Sequence, residues 1–214
     1  MKHLRVVGVI LSVLLLLAVG CVVQTPEGSP EELLAQADAL LDQGRAADAL
    51  PLIEAALAQE DSAQGRFFLG NAYGQEERLE DAEAEYLKAL ELDPDFVDAR
   101  ANLAVVYYEA GRLSEAEGAV RRALEAQPED ADLHYNLGGV LAAQGRFPEA
   151  ESELLIARDL DPDLPEVHLG LGMLYRDLGR RDEALDSLRR YLEISDDPEW
   201  RAEAEALIAA LEAE

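Results

Sequence analysis

Apolar and small residues recur along this chain at helical spacing, and the pattern itself recurs. Between positions 103 and 123, Leu103, Ala104 and Tyr107 fall at i, i+1 and i+4, and Ala116, Val120 and Ala123 at i, i+4 and i+7. Each set shares one helix face, so the stretch reads as two amphipathic helices. Gly111 between them suits the positive φ that ends a helix, and Ser114 is the expected N-cap of the second. Ala104 and Ala116 are small enough to let the two backbones approach, and Pro128 cannot continue the hydrogen-bond ladder. One column of alanines then runs through Ala49, Ala82, Ala116, Ala150 and Ala184, at spacings of 33, 34, 34 and 34. A second runs through Ala56, Ala89, Ala123 and Ala157 and breaks to Tyr191. Leu-Gly or Leu-Ala pairs at Leu69-Gly70, Leu103-Ala104, Leu137-Gly138 and Leu171-Gly172 are followed by Tyr73, Tyr107, Leu141 and Tyr175. Gly44, Gly111, Gly145 and Gly179 punctuate four units, Glu77 stands in that column in the second, and Pro94, Pro128 and Pro162 end the middle three.

A fixed period of this size is the mark of a stacked-repeat architecture. The run Leu69-Gly70-x₂-Tyr73…Ala82-x₃-Tyr86…Pro94 resembles the tetratricopeptide repeat. The expected fold is therefore all-α: an α-solenoid of five helix-turn-helix units at 30–62, 63–96, 97–130, 131–164 and 165–198, closed by a helix at 199–214. The family's Trp column holds Leu33, Arg66, Arg100, His134 and His168 here, and the first and fifth units depart furthest from the pattern. Atypical end units are what a solenoid needs, because its terminal faces meet water. In the last segment Trp200, Ala204, Leu207, Ile208 and Leu211 lie at i, i+4, i+7, i+8 and i+11. That face is expected to cover the fifth unit.

The N-terminus follows a different pattern. Lys2 and Arg5 precede an apolar run from Val6 to Val19, and then come Gly20 and Cys21, the single cysteine. This is the layout of a secretory signal. Ala18-Val19-Gly20-Cys21 resembles the lipobox of bacterial lipoproteins, with Ala18 where Leu commonly opens the motif. The resemblance implies cleavage after residue 20, lipidation of Cys21 and attachment to a bacterial membrane: the outer membrane facing the periplasm where the cell has one, otherwise the outer face of the cytoplasmic membrane. Residues 21–29 then form a tether. Acyl chains contribute roughly 0.8 kcal/mol per buried CH₂, so such an anchor needs no basic patch.

Charge and composition narrow the function. With 45 Asp and Glu against 18 Lys and Arg, the net charge is -27, which repels nucleic acid and anionic bilayers alike. One cysteine excludes a disulfide framework and a Cys-rich zinc site. His134 and His168 sit one repeat apart with no third ligand, so they read as packing residues and not as a metal pair. GLGMLYRDLG at 170–179 follows no strand and is no dinucleotide loop. Arg121-Arg122 and Arg189-Arg190 fall late in second helices, where the helix dipole favours a cation. No cofactor, metal, catalytic residue or small-molecule substrate is expected.

In the family, the first helix of each unit lines a concave face. The corresponding columns here are Phe67, Ala101, Tyr135 and Leu169; Asn71, Val105, Gly139 and Met173; and Gly74, Tyr108, Ala142 and Arg176. Their spacing of i, i+4 and i+7 puts them on one side of each helix. The candidate groove is accordingly Phe67, Asn71, Val105, Tyr108, Tyr135, Leu169, Met173 and Arg176, under an acidic rim of Asp98, Glu109, Asp132, Glu166 and Asp177. Asn71 and Arg176 are the only residues suited to a C-terminal carboxylate clamp, and they stand three repeats apart among many acids. The expected partner is a protein or peptide, apolar with basic or neutral flanks. The expected role is a lipid-anchored, non-enzymatic scaffold or assembly factor in a bacterial envelope, with a periplasmic chaperone or carrier, or a regulator of a cell-wall enzyme, as alternatives.

Overall fold

The structure is a computed structural model and describes residues 26–213. The expected signal segment and Cys21 lie outside the described residues. Among the described residues eleven helices follow one another: α1 (Pro30–Leu41), α2 (Ala46–Gln59), α3 (Ala63–Gln75), α4 (Leu79–Leu92), α5 (Val97–Glu109), α6 (Leu113–Ala126), α7 (Ala131–Ala143), α8 (Phe147–Leu160), α9 (Pro165–Asp177), α10 (Arg181–Ile194) and α11 (Pro198–Ala213). Among the described residues there is no strand, and no helix is long and apolar enough to cross a membrane. The chain begins its regular part with a capping box. Glu32 N–H donates to Ser29 Oγ at 3.3 Å while Ser29 N–H donates to Glu32 Oε2 at 3.0 Å, and Pro30 takes the first helical position.

Helices pack in antiparallel pairs, α1 with α2 through α9 with α10, and each second helix packs on the next pair's first. First helices of successive units also touch, α1 on α3 through α7 on α9, so they line the inside of the curve and the second helices stand outside. The Leu-Gly pairs explain the tightness within a unit. A Cβ on Gly138 would come within 2.7 Å of Leu154, and one on Gly172 within 2.7 Å of Leu188. The absence of a side chain is what lets the opposing leucine in. The turn column behaves as its glycines require, with φ of 68°, 72°, 74° and 68° at Gly44, Gly111, Gly145 and Gly179; Glu77 takes the same left-handed conformation at 58°.

Two expectations about local structure need correction. Ser114 does not cap α6: the helix already includes Leu113, and Arg112 holds the N-cap position. Arg121-Arg122 and Arg189-Arg190 stand before the last turn of their helices, too far in for the terminal dipole to place them. Arg121 instead bonds Glu117 at 2.9 Å, and Arg189 ties α10 to α11 through Glu212 at 2.8 Å.

Arg112 belongs to a further column, Arg45, Arg78, Arg112, Arg146 and Arg180, one before every second helix. Each grips a carboxylate three residues on, such as Asp48 or Glu149, both at 2.8 Å. Three also reach back into the previous unit: Arg112 to Glu83 at 2.6 Å, Arg146 to Glu117 and Arg180 to Glu151, both at 2.7 Å. Arg78, Arg112 and Arg180 lie over the rings of Tyr73, Tyr107 and Tyr175, at 4.0, 4.3 and 4.3 Å. The arginine hydrogen bonds hold the carboxyls of Glu115, Glu149 and Glu183 below their usual range. Solvent-exposed pairs contribute little apiece. The three that reach back, however, tie each of the last three units to the one before it.

Candidate functional site

The inner face divides into clefts. One of about 710 Å³ spans α5, α7, α9 and the start of α11. Gly139, Ala142 and Ala143 of α7 make its floor deep because they are small, while Tyr108, Tyr135, Leu169 and Met173 form apolar walls. A Cβ at Gly139 would meet nothing within 4 Å, so the space over α7 is open. An adjoining cleft of about 570 Å³ shares Tyr108, Tyr135 and Gly139 and adds Val105 and Glu109. Tyr108 and Val105 are 44% and 40% exposed and stand side by side in the cleft lining, which leaves them available for contact.

Trp200 lines both clefts and is 45% exposed. The sequence pattern assigns it to the apolar face of the closing helix, whereas Ala204 and Leu211 make that seal and Trp200 faces the groove. Its register holds the clue. Trp200 comes 34 residues after Glu166, in the column of Asp98, Asp132 and Glu166, so α11 holds the register of a first helix, one period after α9.

Glu166 and Asp177 line the larger cleft as acidic walls, with Asp196 and Asp197 beside them. Burial raises the Tyr135 hydroxyl, with Glu166 and Tyr108 adding to it. Partial withdrawal from water raises the Asp132 carboxyl, and Asp130, Glu166 and Asp161 push it further up. Negative potential therefore accumulates at this end of the groove.

The remaining candidates lie elsewhere. Phe67 does not line these clefts: its ring packs on Phe96 at 5.0 Å, Phe68 at 5.6 Å and Tyr86 at 6.1 Å, and it lies against two core clusters, that of α1 to α3 and that of α4 and α5. Arg176 turns to its neighbour Asp177, with Nε to Oδ1 at 2.8 Å, and is not among the cleft-lining residues. Asp98 and Asp132 stand in the first turns of α5 and α7, outside these clefts. Asn71 faces a third cleft, of about 380 Å³, whose polar lining is Asp38, Asp42, Gln75, Asn102 and Glu109. There the Tyr86 hydroxyl donates to Asn71 Oδ1 at 2.7 Å and Asn102 Nδ2 donates to the same oxygen at 2.8 Å. The histidines serve the loops between units. His134 Nε2 lies 3.0 Å from the Pro128 carbonyl and its Nδ1 2.7 Å from Glu153, and the buried His168 reaches the Pro162 carbonyl at 2.9 Å. Among the described residues, no group of three His, Cys, Asp or Glu could hold a metal ion.

Family models for the tetratricopeptide repeat match residues 33–55, 101–165 and 143–198, and another, for the TPR repeat, matches residues 70–111. The chain is a tetratricopeptide repeat protein. Among curated protein sequences none matches it. Solved tetratricopeptide structures resemble it over most of its length. A thermophilic tetratricopeptide protein of Thermus thermophilus is 25% identical, with a TM-score of 0.75, covering 84% of this chain and 99% of its own. PilF of Pseudomonas aeruginosa is 19% identical, TM-score 0.72, with coverage of 85% and 88%. YrrB, a tetratricopeptide protein with an unusual peptide-binding site, is 23% identical, TM-score 0.60, with coverage of 81% and 90%. These likenesses establish the solenoid as the shared feature, and the fold serves as a scaffold for protein–protein interaction.

Proposed function

We propose that this tetratricopeptide protein is a lipid-anchored scaffold or assembly factor of a bacterial cell envelope, holding its partner in the C-terminal half of the concave groove. The observation that carries the binding site is the open cleft walled by Tyr108, Tyr135, Met173 and Trp200, with Glu166 and Asp177 at its edge. Aromatic side chains in a concave, partly desolvated surface contribute most to binding, and the acidic edge favours basic or neutral flanks over acidic ones. The occupant is an amphipathic helix or extended segment with Lys or Arg beside its apolar residues. The peptide-binding site of YrrB, a protein of the same fold, is consistent with such a use. The anchor rests on Cys21 following Ala18-Val19-Gly20.

Two measurements test the halves of this reading separately. A photo-crosslinking residue in place of Tyr108, in cells of the native host, should capture a defined partner in stoichiometric yield, while the same residue at Glu125, on the second helix of that unit, should not. Labelled fatty acid should enter the protein and be lost in Cys21→Ser. Label retained by Cys21→Ser removes the anchor, and equal capture at both positions removes the groove.

A further inference from the structure

Outside the groove, on the convex side, a cleft of about 570 Å³ opens between α4 and α6 over α5. Leu87, Leu90, Leu103, Ala119 and the ring of Tyr107 give it an apolar lining, and Leu87 is 41% exposed. Gly118 adds open space, since a Cβ there would meet nothing within 4 Å.

The charges in this cleft depart from the repeat pattern. In the second unit Arg66 pairs with Glu85, 19 residues on, at 2.9 Å; in the fourth, His134 meets Glu153 at the same separation, at 2.7 Å. The third unit keeps the cation as Arg100 and replaces the acid by Ala119. Arg100 donates to the Pro94 carbonyl, and among the described residues it has no carboxylate partner. Arg122, in the same cleft, has none either. In a chain with a net charge of -27, where most arginines grip an acid, two guanidiniums without one share a single apolar cleft. Glu115 also lines it but is held by Arg112, and Glu91 lies across from them on α4.

We propose that this cleft is a second docking site, which receives a carboxylate from a partner protein. The occupant is a short apolar segment with a single Asp or Glu, its carboxylate set between Arg100 on α5 and Arg122 on α6. It takes the place that Glu85 and Glu153 fill in the neighbouring units. Guanidinium–carboxylate bonds supply orientation as well as attraction, and the leucines bury the flanking apolar side chains. The site is independent of the concave groove and selects the opposite charge.

The test uses the intact chain and a fluorescent twelve-residue leucine-rich peptide with one central Glu, against the same peptide with Gln. The Glu peptide should bind about tenfold more tightly, the factor that corresponds to one charge-assisted contact. Arg122→Ala should remove that difference. Ala119→Glu should also remove it while holding or raising the melting temperature, because it restores the internal pair of the second and fourth units. Gly139→Leu, in the concave groove, should leave it intact. Equal affinity for the two peptides, no binding of either, or a melting temperature that falls in Ala119→Glu each overturns the proposal. So does sedimentation showing that the intact chain self-associates and that Ala119→Glu returns it to monomer, since the carboxylate would then come from a second copy.

Discussion

The two halves of the inner face are built on the same columns and do opposite things. Toward the N-terminus, Phe67 is absorbed by Phe96 and Tyr86, and Asn71 accepts hydrogen bonds from Tyr86 and Asn102. Gln75 donates to the Leu41 carbonyl at 2.8 Å. Burial pushes the Tyr86 hydroxyl up to about 12. These groups are satisfied by one another and offer a partner little. Toward the C-terminus the same columns carry Tyr135, Gly139 and Met173, and the floor drops away where α7 has only small side chains. A column position thus becomes core or site according to the size of what the next unit sets against it.

Removing residues 199–214 should have the largest effect and should separate the halves. Ala204 and Leu211 are buried, and Leu207 and Ile208 pack beside them, so their loss should destabilise the C-terminal units by on the order of 5 kcal/mol. Hydrogen exchange should then show fraying around Leu188 and Leu192 while α3 and α4 keep their protection. Unchanged protection at Leu188 would make α11 a tail. Next in size is Gly139→Leu, which fills the floor without touching the core. Partner capture through Tyr108 should fall by about 2 kcal/mol of binding or more, while stability stays within about 1 kcal/mol, because leucine is the better helix former. Tyr108→Ser should act in the same way, with the crosslinking residue moved to Val105. Tyr135→Ser should cost stability as well, since its ring lies 3.3 Å from where a Cβ on Gly170 would stand. Capture undiminished by Gly139→Leu would move the site off this half.

The contrast between the halves also shows where sequence reading works. Period, helix pairing and turn glycines follow from spacing, because a helix face and a left-handed turn are local properties of a few residues. The same arithmetic puts Tyr108, Tyr135, Leu169 and Met173 on one face, and the structure brings them together in one cleft. Spacing misplaces Phe67 because its fate depends on Phe96, 29 residues away and outside any inner-face column. Trp200 is legible in principle, one period beyond Glu166. Treating the last helix as a lid, and not as the start of another unit, hides it. The arginine column is equally visible at its period and needs only to be counted.

Tyr86→Phe sharpens the account of the N-terminal half. It removes the hydroxyl that donates to Asn71 and leaves the ring that fills the space over Gly70. The expected cost is about 1–2 kcal/mol, a hydrogen bond lost from a buried group, read by denaturant unfolding. Partner capture should be unchanged. A loss of capture at full stability would mean that the polar network belongs to the binding surface after all.

The smallest effect concerns the turn of the second unit. Glu77 is the one non-glycine among the described residues at positive φ, at 58°, where the other four units have glycine. A left-handed conformation costs an L-residue roughly 1–2 kcal/mol, and glycine's greater freedom in the unfolded chain offsets part of the gain from removing that cost. Glu77→Gly should therefore stabilise the protein by about 0.5–1 kcal/mol. Because neighbouring repeats couple only at their interfaces, the added protection should appear in α3 and α4 and fade before α9. The reverse substitution, Gly111→Glu, should cost a similar amount one unit further along, nearer the cleft. If Glu77→Gly instead destabilises, the side chain contributes an interaction at that turn that outweighs the backbone strain, and the N-terminal half is held together more by its surface than by its core.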